Sequence, residues 1–134
     1  MTQNEFIKRI LGKPWVNRAS SFESADCFGL VILYYKHVLN IDLPTVEGFS
    51  EKDDFVSCYN KGKELWREVS KPSKNGIVFT CYKGNMPMHV GLCIGDGYAL
   101  HSRGTEKQTG KVEIHSLRAI EHIYGKMTYH EFTG

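Results

Sequence analysis

The sequence predicts an α+β domain, and three observations predict it. Helical periodicity and helix caps dominate roughly the first 60 residues, after which the apolar pattern switches to strict alternation. Helices first and then a meander of strands is the element order of an α+β domain rather than of a parallel α/β sheet. With 134 residues, 41% hydrophobic and 24% charged, the chain has an ordinary globular composition. It is large enough to bury one hydrophobic core without staples, so residues 1–134 read as a single domain.

Thr2 with Glu5 makes a capping box for a first helix running to about Leu11, where Gly12 and Pro14 stop it. Residues 17 to 24 are polar and form a loop. Ser24 or Asp26 caps the next segment, Cys27 to Leu39, which ends before Asn40 and Pro44. Its only charged side chain, Lys36, points one way; Leu30, Val31, Tyr34 and Val38 point another, and Ile32, Leu33 and Leu39 cover much of the rest. A helix apolar nearly all round is a buried one, so this is the central helix, packed on a sheet. A third helix is expected from about Glu51 to Lys61. Strands follow at Glu64–Val69, Ile77–Tyr82, Met88–Gly95, Tyr98–Arg103 and Val112–His115. Ser116 caps a short helix to about Tyr124, and Lys126–Phe132 closes the chain as a strand. The expected architecture is therefore helices, the cysteine helix among them, against an antiparallel sheet of five or six strands.

Charge and composition narrow the partners. The formal charge is only +2, and lysine and arginine are scattered, so nucleic acid is not expected as a partner. An acidic substrate is permitted but not required. No run of about 18 apolar residues exists, so no membrane is expected either. Met1 to Gly12 is polar and amphipathic without an apolar signal-peptide core, which implies synthesis in the cytoplasm and delivery by another route if the substrate lies outside. Cysteines stand at 27, 58, 81 and 93 with no Cys-x-x-Cys pair, so neither a structural zinc nor any other cofactor is expected. Four thiols permit two disulfides, but the absent signal peptide favours reduced thiols, with Cys58, Cys81 and Cys93 as small core residues.

Cys27 has different company. A thiol attacks a carbonyl as thiolate, and a helix N-terminus favours negative charge through its unpaired amides and dipole. Cys27 falls in the first turn of the buried helix. Gly29, two residues on, costs about 1 kcal/mol of helix propensity relative to alanine, which suits a place where another backbone or a substrate approaches closely. Alone, a buried cysteine beside a tolerated glycine is an equally good reading.

Two histidines shift that balance. In the alternating segment 88–94, Val90, Leu92 and Ile94 share one face, while His89, Gly91 and Cys93 share the other. His101 shares a face with Ala99, and Gly95-Asp96-Gly97 between the segments is a hairpin signal. Register decides whether the imidazoles meet. A two-residue turn at Asp96-Gly97 pairs 95 with 98 and sends His101 to the wrong face. A three-residue loop with Gly97 left-handed pairs 94 with 98 and 91 with 101, placing His101 across from Gly91 and diagonal to His89. The three-residue loop is the expectation. In that geometry His89 is general base to Cys27, and His101 accepts a hydrogen bond from its other ring nitrogen and fixes the tautomer. The Cys27 backbone N–H and one further donor would hold the oxyanion. Histidines 37, 115, 122 and 130 have no matched partners and read as packing or surface residues.

These residues resemble the NlpC-type papain-like cysteine peptidases, enzymes of bacterial cell-wall turnover. The similarity runs from Gly12-Lys13-Pro14-Trp15, through the nucleophile motif Asp26-Cys27-Phe28-Gly29-Leu30-Val31, to His89-Val90-Gly91, Gly95 and His101, the last standing twelve residues after His89. The resemblance implies a papain-like fold and a Cys27–His89–His101 triad hydrolysing peptidoglycan stem peptides, at a bond involving D-glutamate and diaminopimelate or lysine. The aromatic Phe28 and the segment Asn40-Ile41-Asp42-Leu43-Pro44 resemble the branch associated with bacteriophage tail tips, which implies a virion or prophage setting and tail proteins as partners. Three departures stand out: Trp15 replaces a tyrosine, Asn17-Arg18 replaces a Gly-Gly, and Asn75-Gly76 replaces a Gly-Asp before the base. If the tyrosine hydroxyl helps bind the oxyanion, the Trp15 indole N–H must substitute, or the second donor lies elsewhere. Asp26 matches a residue that binds the substrate's free amine, or simply caps its helix. Arg103 meets an acidic peptide, or is a solvated charge. Two other functions remain open: a tail-assembly component with a vestigial triad, and an amidase or acyltransferase acting on another acyl group.

Overall fold

The computed structural model describes residues 1–44, 65–105 and 107–134. Among these, the order is α1 (Gln3–Ile10), α2 (Cys27–Val38), β1 (Trp66–Val69), β2 (Val78–Lys83), β3 (Met86–Gly95), β4 (Tyr98–Ser102), β5 (Val112–Ser116), α3 (Leu117–Tyr124) and β6 (Met127–Phe132). The helix expected over 51–61 and Cys58 lie outside the described residues. The strands form one six-stranded sheet in the order β1-β6-β2-β3-β4-β5, every pairing antiparallel. This is the α+β architecture that the change of period predicts.

The helix boundaries follow from their caps. Thr2 and Glu5 form the reciprocal capping box of α1. Asp26, not Ser24, caps α2, its side chain accepting from the Gly29 N–H. Asn40, at φ 58°, ends α2 in the left-handed region. Ser116 caps α3 by accepting from the Ala119 N–H.

Alternation along the strands splits the core in two. Val78, Val90, Leu92 and Leu100 face α2 and α1, joining Leu30, Val31, Tyr34, Phe6 and Ile10. Ile77, Phe79, Cys81, Cys93 and Ala99 face the other way and pack with Leu117 and Ile120 of α3. The sheet is thus a middle layer, with the cysteine helix on one side and α3 on the other.

The β3–β4 hairpin corrects one expectation. Gly95 pairs with Tyr98, so the turn is the two-residue one, with Asp96 at φ 54° and Gly97 at φ 79°. That is the left-handed pair a tight hairpin turn prefers. The register then shifts between Cys93 and Gly95, so that Cys93 faces Ala99 and Leu92 faces Leu100. A bulge at Ile94 therefore supplies the extra residue that was assigned to the loop. Its carbonyl accepts a hydrogen bond from the Gln3 side-chain amide at 2.9 Å, and Gln3 in turn accepts from the Tyr34 hydroxyl at 2.7 Å. The outcome at the site is the predicted one, with position 91 beside His101.

Candidate active site

Cys27 opens α2, and three backbone N–H groups face its sulfur, those of Val90, Phe28 and Cys27 itself. Val90 follows His89 directly, so the thiol reaches the sheet at the residue next to the expected base. The helix start is fixed by Asp26, which is buried and uses both carboxylate oxygens. Oδ1 accepts from the Gly29 N–H at 2.6 Å and Oδ2 from the Arg18 N–H at 2.8 Å. Gly29 is required by sterics, because a Cβ there would run into the Ala19 carbonyl. That carbonyl also accepts from the Asp26 N–H. The close backbone approach inferred from this glycine is present, and the approaching group is the 17–24 loop.

His89 and His101 are both buried, at 5% and 0% exposure, and their rings are hydrogen-bonded, Nε2 of His89 to Nδ1 of His101 at 2.8 Å. Gly91 makes the contact possible. A Cβ there would collide with the Phe79 ring and stand 2.8 Å from the His101 Cβ. Tyr124, at the end of α3, stacks on the His89 ring with centroids 4.8 Å apart and planes 19° from parallel. Phe79 packs against both imidazoles, tilted to His89 and edge-on to His101, with centroids 5.9 and 6.0 Å away. His89 is therefore held by a hydrogen bond on one nitrogen and by aromatic packing, and Nδ1 is the ring nitrogen not bonded to His101.

The electrostatics differ from expectation in one respect. The helix N-terminus was to lower the thiol pKa; instead burial, with the Asp26 carboxylate adding to it, pushes Cys27 up to about 12. The three N–H groups act in the opposite direction and do not win, because desolvating the anion outweighs them. Burial, followed by the charge of Arg103, holds His89 down at about 3. His101 is also held at about 3, by burial first and then by His89, His115 and Arg103. The resting site is a neutral thiol beside neutral imidazoles.

Of the other sequence-predicted residues, Arg103 is at the site, donating a hydrogen bond to the Tyr124 hydroxyl. Trp15 is buried against Gly104, where an added Cβ would lie 2.8 Å from the Trp15 Cβ and Cγ. The Pro14 carbonyl accepts from the Ala25 N–H, which ties the Trp15 segment to the approach to Cys27. Arg18, where the resemblance has glycine, takes the left-handed φ of 67° that glycine adopts at no steric cost. Cys81 and Cys93 are buried free thiols, as expected of core residues.

Sequence reasoning missed one polar neighbour. His115 was assigned to packing or surface, but its Nδ1 lies 2.8 Å from Nε2 of His101. Its own Nε2 lies 3.8 Å from Oε2 of Glu113. The β4–β5 register sets this, Ala99 facing His115 and His101 facing Glu113. The alternation of Glu113 and His115 on one strand was the available signal. The connection from 103 to 111 left its register open. Histidines 37, 122 and 130 are half-buried or exposed. Among the described residues no cluster of histidine, cysteine and carboxylate side chains is arranged to hold a metal. No helix there is long and apolar enough to cross a membrane.

A helix opening on a cysteine, set against an antiparallel sheet that carries two bonded histidines, defines a papain-like α+β fold. The chain belongs to the NlpC/P60 family, whose pattern matches residues 12–133. Solved structures share the fold. The NlpC/P60 domain of the peptidoglycan hydrolase SagA superposes with a TM-score of 0.60 at 21% identity, covering 93% of this chain and 92% of that one. An NlpC/P60 family protein from Bacillus cereus ATCC 10987 gives 0.65 at 21% identity, over 98% of this chain but only 40% of that one. NlpC1 from Trichomonas vaginalis gives 0.55 at 19% identity, over 81% of this chain and 36% of that one. The chain thus spans less than half the length of the latter two. No curated protein matches it.

Proposed function

We propose that the chain is a cysteine peptidase that cleaves peptidoglycan stem peptides, as a D,L-endopeptidase, with Cys27 as nucleophile, His89 as base and His101 as its orienting partner. The observation that carries this reading is the 2.8 Å bond between His89 Nε2 and His101 Nδ1, on a strand whose next backbone amide faces the Cys27 sulfur. Family membership and the likeness to a domain described as a peptidoglycan hydrolase supply the substrate class.

Because thiol and imidazoles rest neutral, activation is a proton transfer coupled to attack rather than a standing ion pair. His89 Nδ1 takes the Cys27 proton as the sulfur bonds to the scissile carbonyl carbon. The oxyanion is met by the Cys27 N–H, with a second donor from the Trp15 side of the site. Collapse breaks the C–N bond, and the imidazolium of His89 returns its proton to the leaving amine. Water, deprotonated by the same nitrogen, then hydrolyses the thioester. His101 accepts from His89 Nε2–H throughout, which keeps the lone pair on Nδ1. Arg103 meets a substrate carboxylate, and the Asp26 carboxylate receives the free amine of the stem peptide while it caps α2.

Phe28 and the 40–44 segment support placement in the phage tail-tip branch, with the virion as the route to the cell wall and other tail proteins as partners. The neutral resting pair lends some support to a second reading, a tail-assembly component whose triad is vestigial. Digestion of purified cell wall with wild type and Cys27→Ala, under reducing conditions and read by mass spectrometry, separates the two. New peptide termini with wild type alone support the peptidase. Identical digests would reject it, and Cys27→Ala virions that assemble and infect normally would then favour the assembly role.

A further inference from the structure

We propose that His115 is a positioning residue of this site, setting the tautomer of His101 and through it the free nitrogen of His89; the role rests on the peptidase reading above. The three rings step diagonally across β3, β4 and β5, joined by two bonds of 2.8 Å, His89 Nε2 to His101 Nδ1 and His101 Nε2 to His115 Nδ1. Neutral imidazole carries one N–H, so each of these bonds has a direction, and the middle ring makes the two directions agree. In one state His89 donates to His101 and His101 donates to His115. His89 Nδ1 is then a bare lone pair, able to take the Cys27 proton. In the other state both bonds reverse, and His89 carries its proton on Nδ1, where it cannot serve as base. Without a third ring, His101 is free to protonate on either nitrogen.

The far end biases the choice. In the productive state His115 holds its proton on Nε2, and the Glu113 carboxylate stands 3.8 Å from that nitrogen. A negative charge there favours an N–H facing it over a bare lone pair. The reversed state would turn the lone pair toward the carboxylate. Arg103 acts on the same rings with the opposite charge, disfavouring protonation of His89 and His101. It thereby keeps those two rings neutral and the direction of the bond between them meaningful.

The test uses the ¹⁵N-labelled chain at neutral pH, with imidazole tautomers read from long-range ¹H–¹⁵N correlations. Kinetics on cell-wall peptides and the rate of Cys27 alkylation by iodoacetamide accompany them. Wild type should show the N–H on Nε2 of both His89 and His101. His115→Leu, at a half-exposed position, should mix the His101 tautomers and lower kcat by about 10- to 100-fold, with KM changed about twofold or less. His115→Asn places an amide oxygen near the lost Nδ1, so it should restore both the tautomer and most of kcat. Nδ1–H on His101 in wild type overturns the proposal, as does a His115→Leu protein with unchanged tautomers and kcat. If wild type cleaves nothing, the peptidase reading fails on its own. The relay then still stands or falls on the nitrogen shifts and on slower Cys27 alkylation in His115→Leu.

Discussion

A Cβ placed on Gly91 would stand 2.8 Å from the Cβ of His101 and would overlap the Phe79 ring. Glycine at this place on β3 is therefore what lets two imidazoles on neighbouring strands lean together. Gly91→Ala should cost about 1–3 kcal/mol in urea denaturation, the usual range for overpacking a filled core. Activity should fall further than the folded fraction does, because the relief available is to displace Phe79 or His101, both of which hold His89. A variant that matches wild type in both stability and Cys27 alkylation rate would show that the contact is not needed.

Gly29→Ala should be worse. The atom in its way belongs to the Ala19 carbonyl, a backbone group already accepting from the Asp26 N–H. A flexible side chain can turn aside, whereas this carbonyl cannot move without breaking the approach to the α2 cap. The expected loss is about 3 kcal/mol or more, read as a drop in the urea midpoint. The Cys27 alkylation rate should change with it, since the helix start moves.

Much of this fold was legible because local signals agreed with the global one. The capping box at Thr2, the all-round apolar α2 and the alternating strands each sit within one or two residues of their expected places. The site was legible where residues lie close in sequence or across one hairpin, as His89, Gly91 and His101 do. Two things were not. The Ile94 bulge does the work assigned to a longer turn, because a bulge and a three-residue loop leave the same register beyond them. His115 was overlooked because its register depends on a strand reached through a connection whose length does not determine the pairing. The thiol pKa was misjudged for a related reason: the helix start is written in the sequence, but the burial that outweighs it is a property of the packed layers.

Asp26 offers a way to test that balance. Its carboxylate raises the Cys27 pKa, second only to burial. Asp26→Asn keeps an oxygen for the Gly29 N–H and removes the charge, so the alkylation midpoint of Cys27 should move to lower pH. The amide cannot also accept from the Arg18 N–H, and about 1 kcal/mol of stability should go with that bond. Asp26→Ala loses the cap as well, a further 0.5–2 kcal/mol or so. An unchanged or higher midpoint in Asp26→Asn would contradict the assigned cause.

Stability should depend on pH at both ends. His89 and His101 sit at about 3 in the folded chain, well below the unfolded value near 6.5. The unfolded chain thus binds protons first, so stability is full above about pH 6.5 and falls as pH drops toward the folded values. Between pH 6.5 and 5 the loss for each such histidine is on the order of 2 kcal/mol. At the alkaline end the buried thiols of Cys27, Cys81 and Cys93, all raised to about 12, reverse the sign. The unfolded chain ionises first, near pH 9, and stability falls as pH rises beyond it. Urea midpoints at pH 5, 7.5 and 10 check both limbs, and a midpoint that does not fall on the acid side would refute the neutral, buried histidine pair.

Arg103 belongs to the electrostatics of the site. Its charge lowers His89, second to burial, and its guanidinium donates to the Tyr124 hydroxyl above the same ring. Arg103→Gln removes the charge, so the His89 pKa should rise and the acid limb of kcat/KM should move to higher pH. Arg103→Lys keeps a positive charge, so that limb should stay near its wild-type position. If Arg103 also binds a substrate carboxylate, KM should rise in both variants, since a lysine cannot reproduce a two-pronged contact. Profiles on cell-wall peptides with and without a free carboxylate separate the two roles. A KM increase confined to the carboxylate-bearing peptide assigns binding, whereas a shifted limb on both peptides assigns the effect to His89.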